Sequence, residues 1–316
     1  LLKTGTATAT LAQPSSYTGG TTVNAGKLQI GAGGTTGDIG SGAVVVAAGS
    51  TLEFNRSNAT PGTPDLNYKT DAKMRNVSGA GDIVLDGGLM VFNYTGTGIG
   101  FAEANSWNNF SGNLTVKGGS EFQTIRNGAT AMGTGDIILG DVASSGSLSQ
   151  IEGNWTWTND IVLAGSNNKI LNRAAGTDRR LKVQGVISGS GGLTFDDPAV
   201  GMTSPNLGFI LTNTNTLDGT LTIAAGTPVR VGGVPGNVDA GNPGSAAAAF
   251  GTLGAATVVN NGALTFTRTD AHSVANPISG SGALRIGVPA GTVYGGVPID
   301  TSTQVVTYTG TASHAG

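Results

Sequence analysis

Residues 16–34 read SYTGGTTVNAGKLQIGAGG. Within this stretch Lys27-Leu28-Gln29-Ile30 alternates polar and apolar side chains, the period of a strand with one wet face and one buried face. Glycines and the Asn24-Ala25-Gly26 triplet bound the alternation on both sides and leave no room for a helix. So short a strand cannot cover its own apolar side, so it needs neighbours of the same kind.

Those neighbours are in the sequence. A glycine or polar residue followed by x-[Leu/Ile]-x-[apolar] recurs at Leu28, Leu52, Ile83, Leu114, Ile137, Ile161, Leu193, Leu221, Leu264 and Leu284. The anchors lie about 28 residues apart on average, a period that signals solenoids and arrays. In each copy two apolar side chains two residues apart, such as Leu221 and Ile223 or Leu264 and Phe266, share a strand face. Stacking the copies closes a continuous core. The pattern predicts an all-β fold, a right-handed parallel β-helix of roughly 11 to 14 coils at ~4.8 Å each. A sandwich or propeller fits less well, because two-residue hairpin signals do not separate each adjacent pair of strands.

Composition agrees. Glycine supplies 54 of 316 residues and charged residues only 11%, against usual values of ~7% and ~25%. The glycines have no collagen period, and an apolar fraction of 38% is too high for a disordered linker, so regularly spaced turns account for them. A net charge of −3 with scattered basic residues argues against nucleic acid as a partner. The absence of cysteine removes disulfides and thiolate metal sites. No apolar run reaches ~18 residues, so no membrane-spanning helix is expected. The chain reads as a single solenoid body with Pro/Gly-rich insertions near 59–72, 196–209, 234–249 and 288–302, the third including Ala246–Ala249 as a candidate helical turn. It also reads as a segment of a longer polypeptide, since Leu1 is an unusual first residue.

The ordered series Tyr17-Thr18-Gly19-Gly20-Thr21-Thr22, Asn24-Ala25-Gly26 and the Leu28/Ile30 strand resembles the autotransporter-associated β-strand repeat, also called the passenger-associated transport repeat. Residues 39–58 and 253–287 resemble the same unit, and Val305–Gly310 resembles its start. The resemblance implies a secreted or surface-displayed bacterial β-helix passenger. No series of ~10-residue barrel strands is present, so the resemblance does not extend to a membrane anchor within this chain. A solenoid interrupted within a unit leaves strand edges that pair with another chain, which points to head-to-tail self-association; further repeats on the same polypeptide are the equal alternative.

The search for chemistry gives less. Asp196 and Asp197 are adjacent, so on a strand they face opposite sides; a capped turn suits them better than a paired-carboxylate or Ca²⁺ site. Arg179, Arg180 and Lys182 form the only basic run, suited to a solvated corner or, less readily, to an anionic sugar. Trp155 and Trp157 share a strand face and are candidates for glycan stacking, with Trp107 a third aromatic of the same kind. His272 and His314 lie near no nucleophile motif, and Gly40-Ser41-Gly42 and Gly280-Ser281-Gly282 lack the rest of a nucleophile elbow. No phosphate loop or calcium repeat is found, so no cofactor is implied. Thr4, Thr6, Thr8 and Thr10 would suit an ice-binding strand, but a single strand is not enough. Asn-x-Ser/Thr triplets begin at Asn55, Asn58, Asn76, Asn93, Asn109, Asn113 and Asn154 and leave glycosylation open.

The expected function is a non-enzymatic extracellular stalk or fibre subunit supporting adhesion or a matrix. The alternatives are a polysaccharide-processing β-helix enzyme, or a carbohydrate-binding module meeting cell-surface or matrix polysaccharide. The residues expected to carry the fold are Tyr17, Gly19, Gly20, Leu28, Ile30, Leu221, Ile223, Leu264, Phe266 and Leu284.

Overall fold

The computed structural model describes residues 1–57, 66–67, 74, 76–92, 107, 109–124, 132–150, 155–173, 180–197, 208–232, 251–267, 271–286, 293–294, 297–298 and 306–314. The predicted insertion 234–249, with its candidate helical turn, lies outside them, as do most of the other three insertions. Among the described residues there are strands and turns and no helix. Among the described residues the strand pairs with a given register are parallel except Val293–Tyr294 against Val297–Pro298, an antiparallel pair inside the last predicted insertion. The chain divides into two compact units: Leu1–Ile151 with Asn159–Asn168, and Glu152–Thr158 with Lys169–Gly316.

In the first unit the chain visits its sheets in rotation, and each strand pairs with its counterpart one coil later, the winding of a β-solenoid. A 5-stranded sheet holds Leu2–Lys3, Thr21–Val23, Val44–Val46, Val77–Gly79 and Asn109–Phe110. A second runs through Thr8–Leu11, Lys27–Ile30, Thr51–Asn55, Asp82–Asp86, Leu114–Lys117, Ile137–Leu139 and Ile161–Leu163. A third takes Leu66–Asn67, Leu89–Phe92, Ser120–Thr124 and Gly146–Gln150. The register of the second sheet explains the repeat. Leu28, Leu52, Ile83, Leu114, Ile137 and Ile161 stand in one column, and Ile30, Phe54, Leu85, Val116, Leu139 and Leu163 in the next, all buried. Burying each such side chain contributes about 1.5–3 kcal/mol.

The second unit repeats the device with other partners. Leu193, Leu221, Val258 and Ile278 form one buried column. A 6-stranded sheet of Trp155–Trp157, Arg180–Val183, Gly208–Leu211, Pro228–Val231, Ala263–Phe266 and Ala283–Ile286 carries another, Leu181-Phe209-Val229-Leu264-Leu284. Leu221 and Leu264 therefore belong to different sheets. The long gap between them in the sequence contains the strand that actually follows Leu221 in its column, Thr257–Asn260. Leu264 and Phe266 are buried, whereas Leu284 is half-buried because its strand lies at the edge of its sheet.

Two kinds of corner connect the strands. In Ala47–Ser50 and Ala224–Thr227 the fourth residue donates its N–H to the first carbonyl, at 3.0 and 3.1 Å. The third residue is a glycine at φ 75 and 78°, with open space where a Cβ would go, so the backbone angle alone selects glycine there. Elsewhere a buried amide links neighbouring coils. Asn159 Nδ2 donates to the carbonyls of Gly133 and Gly135, and Asn276 Nδ2 to those of Gly254 and Ala256, at 2.9–3.1 Å. At Lys3 a buried ammonium does the same work, donating to the carbonyls of Thr4, Gly5 and Ala25. These bonds satisfy backbone acceptors that the turns leave free.

Candidate functional site

The corner at residues 17–42 is the best-defined feature of the repeat. The Tyr17 hydroxyl and Thr21 Oγ1 share a hydrogen bond of 2.7 Å, and the Tyr17 carbonyl accepts the Ser41 N–H. The Tyr17 ring lies over Gly40, where a Cβ would overlap it, and a Cβ on Gly42 would meet the Gly19 carbonyl at 2.5 Å. One on Gly20 would press on the Ala43 carbonyl at 3.0 Å, whereas Gly19 has open space around it. The glycines of one coil thus make room for the tyrosine corner of the coil before it. Tyr308 repeats part of this arrangement, its hydroxyl donating to the Thr311 and Asn276 carbonyls at 2.7 and 3.2 Å.

Of the candidate tryptophans, Trp107 and Trp157 are buried. Trp157 is only 3% exposed and stands in register with Val183 and Leu211, so its ring fills the core instead of presenting a face to a glycan. Trp155 pairs with Leu181 through its backbone; its side chain lies outside the described set. Trp107 is also buried, donating Nε1–H to the Met74 carbonyl and meeting Phe110 and Phe122 edge-on.

The basic run becomes a row of strand residues. Arg180 and Lys182 lie on the strand Arg180–Val183 and are buried, so they do not form the solvated corner the sequence suggested; Arg179 lies outside the described residues. Lys182, Ile210, Arg230, Thr265 and Arg285 are aligned by register. Leu181 and Val183 point into the core, so this row occupies the opposite face of the sheet. Burial lowers the pKa of Arg230 to about 10, and the nearby Arg180 charge pushes the same way. Arg230 was not recognisable in the sequence as part of this group, because only the winding brings it into the row of Lys182, with Ile210 between them. Arg180, Lys182 and Arg230 are each engaged in an interaction within the chain, whereas Arg285, at the edge strand, is exposed.

The carboxylates are structural too. Asp197 is buried, with Oδ2 accepting from Asn172 Nδ2 at 3.0 Å and its N–H donating to Thr227 Oγ1 at 2.9 Å; Asp196 is half-exposed at the end of its strand. In the first unit Glu53 pairs with Lys27 at 2.8 Å, and Lys117 lies between Asp86 and Asp141 at 3.2 and 3.5 Å. Burial works to lower the Lys117 pKa, but the hydrogen bond and charge of Asp86, followed by those of Asp141, outweigh it and raise the pKa above the ordinary lysine value. His272 pairs with Val306 and His314 with Gly280, in different sheets. Among the described residues no group of His, Cys, Asp and Glu side chains is placed to hold a metal ion, and no helix is long and apolar enough to cross a membrane.

Among the described residues several strands lie at the ends of their sheets. Thr8–Leu11 bounds one sheet, with Ala9 and Leu11 half-buried where their column ends. Ala283–Ile286 bounds the 6-stranded sheet. Leu1, Leu2 and Ile286, at 45, 62 and 55% exposure, lie on or beside such edges.

Residues 1–30 match the passenger-associated-transport-repeat family, so this part of the chain carries an autotransporter-associated passenger repeat. No curated protein and no solved structure matches the chain.

Proposed function

We propose that this chain is a structural segment of a secreted or cell-surface bacterial passenger. It is wound as a right-handed parallel β-helix and works without enzymatic chemistry, as a stalk or fibre subunit that supports adhesion or a matrix. The observation carrying the reading is the pair of unbroken apolar columns in the first unit, headed by the repeat at residues 1–30. Polar side chains elsewhere support it, since Asn159, Asn276 and Lys3 are used on backbone carbonyls and Asp197 on the Asn172 amide. Self-association through strand edges belongs to the same reading, supported by the exposed apolar residue Ile286 on the strand Ala283–Ile286.

Protease shaving of intact producing cells tests it. Peptides of this chain should be released while a cytoplasmic marker stays intact; retention of the chain until lysis would overturn the surface reading. Sedimentation of the purified chain over a range of concentrations tests the edges. Growth in size with concentration is expected, and a strictly monomeric species removes self-association.

A further inference from the structure

The distribution of asparagine carries information that the structural role does not use. Twelve asparagines lie between Asn24 and Asn154, and seven of them begin an Asn-x-Ser/Thr triplet. Twelve more lie between Asn159 and Asn276, and none does. Equal numbers of asparagine with such unequal context separate the triplets from mere richness in Asn and Thr.

The structure then sorts the described triplets. At Asn113 the side chain is committed, with Oδ1 accepting the Asp136 N–H at 3.1 Å. Asn55 is half-buried at the end of the strand Thr51–Asn55. Asn76 and Asn109 differ: both are exposed, and neither amide is taken up by a hydrogen bond among the described residues. Each sits at the start of a strand in the 5-stranded sheet, Asn76 just before Val77–Gly79 and Asn109 at the head of Asn109–Phe110. The pairing sets Asn109 directly beside Ser78, the hydroxyl residue of the Asn76 triplet. Two complete acceptor triplets thus lie on adjacent strands, with Val77 and Phe110 turned into the core and the acceptor side chains outward.

We infer that Asn76 and Asn109 are attachment sites for N-linked sugar. The donor is a glycosyl group activated through a phosphate at its anomeric carbon. The amide nitrogen forms the new bond to that carbon, the carbon–phosphate oxygen bond breaks, the phosphate-bearing carrier leaves, and one amide proton is lost to solvent. The carrier is either a nucleotide, which delivers one sugar, or a lipid, which delivers a preassembled oligosaccharide.

Peptide mapping by mass spectrometry of the chain recovered from its own producing cells tests this, with the same chain made in a host lacking N-glycosyl transfer as the mass reference. Peptides containing Asn76 and Asn109 should carry hexose-type mass increments absent from the reference. A single increment identifies the nucleotide donor and a longer block the lipid donor, and either supports the sites. Ser78→Ala and Ser111→Ala keep both asparagines and remove the triplets, so each should abolish the increment on its own asparagine only. Unmodified Asn76 and Asn109, sugar mapped to Ser or Thr hydroxyls instead, or modification that survives Ser78→Ala and Ser111→Ala would overturn the inference.

Discussion

Leu114–Lys117 in the first unit and the strands Arg180–Val183 and Gly208–Leu211 in the second share the inward alternation and differ in how far their outward positions are buried. In the first unit Leu114–Lys117 alternates between buried and half-buried residues, as a strand with a solvated outer face does. In the second, Arg180–Val183 and Gly208–Leu211 are buried at every position, although their sequences still carry Arg180 and Lys182. A polar residue at an outward position of a solenoid strand therefore does not establish that the position is wet. Whether the outer face is covered is a property of tertiary structure that alternation cannot encode.

This contrast can be broken at the core first. Leu28→Asp and Leu221→Asp each put a carboxylate into an apolar column, one in each unit, and should cost more than about 4 kcal/mol in urea unfolding. Equal losses would confirm that the inward columns are equivalent; a tolerated Leu28→Asp would sink the first-unit core. Outward positions should separate these strands. Ile210→Asn, at a buried site, should lose roughly 3 kcal/mol, while Thr115→Asn, half-buried, should stay within about 1. If the two variants melt together, the outer face of the 6-stranded sheet is not covered.

The corners should behave alike in both units. Asn159→Ala and Asn276→Ala each strand two carbonyls and should lower stability by roughly 2 kcal/mol, read from chemical denaturation; near-neutral variants would mean that water replaces the amide. Gly49→Ala and Gly226→Ala meet no atoms but force a side chain into the left-handed region, at about 1–2 kcal/mol each. The smallest effect is a pH dependence confined to the first unit. The Ser144 hydroxyl, then the Ala143 N–H, hold the Asp141 pKa below its ordinary 3.8. Its contribution is therefore complete above that value and fades as pH falls through the lower folded pKa. Asp141→Asn should flatten the acid limb of a melting-temperature profile slightly, and an unchanged limb would discount the carboxylate.

Much of the first unit was legible in its sequence. Six repeat anchors from Leu28 to Ile161 fall in one column, because their spacing of 23 to 31 residues keeps each in phase with the next coil. The second unit was read less well for a physical reason. Its x-[Leu/Ile]-x-[apolar] strands lie in two sheets, so Leu221 and Leu264 look like successive copies while Val258 is the true neighbour of Leu221. The basic row was half visible, since Arg180 and Lys182 are close in sequence and Arg230 is not. Asn159 and Asn276 gave a weak signal that could have been used, an Asn two residues before an Ile that opens a strand. The burial of Trp157 gave none, because a tryptophan two residues from another suits a core column and a sugar platform equally well.

The short, steady separation between paired strands has a bearing on how such a chain is made. Ile137 meets Leu114 from only 23 residues away and Ile161 meets Ile137 from 24. Loop closure costs about the same for each coil added, and the cost does not grow with the length already wound. A coil can close as soon as its own residues follow a finished one, before anything downstream exists. Assembly of the first unit is then an ordered polymerisation along a single chain, in which each finished edge is the template for the next strand.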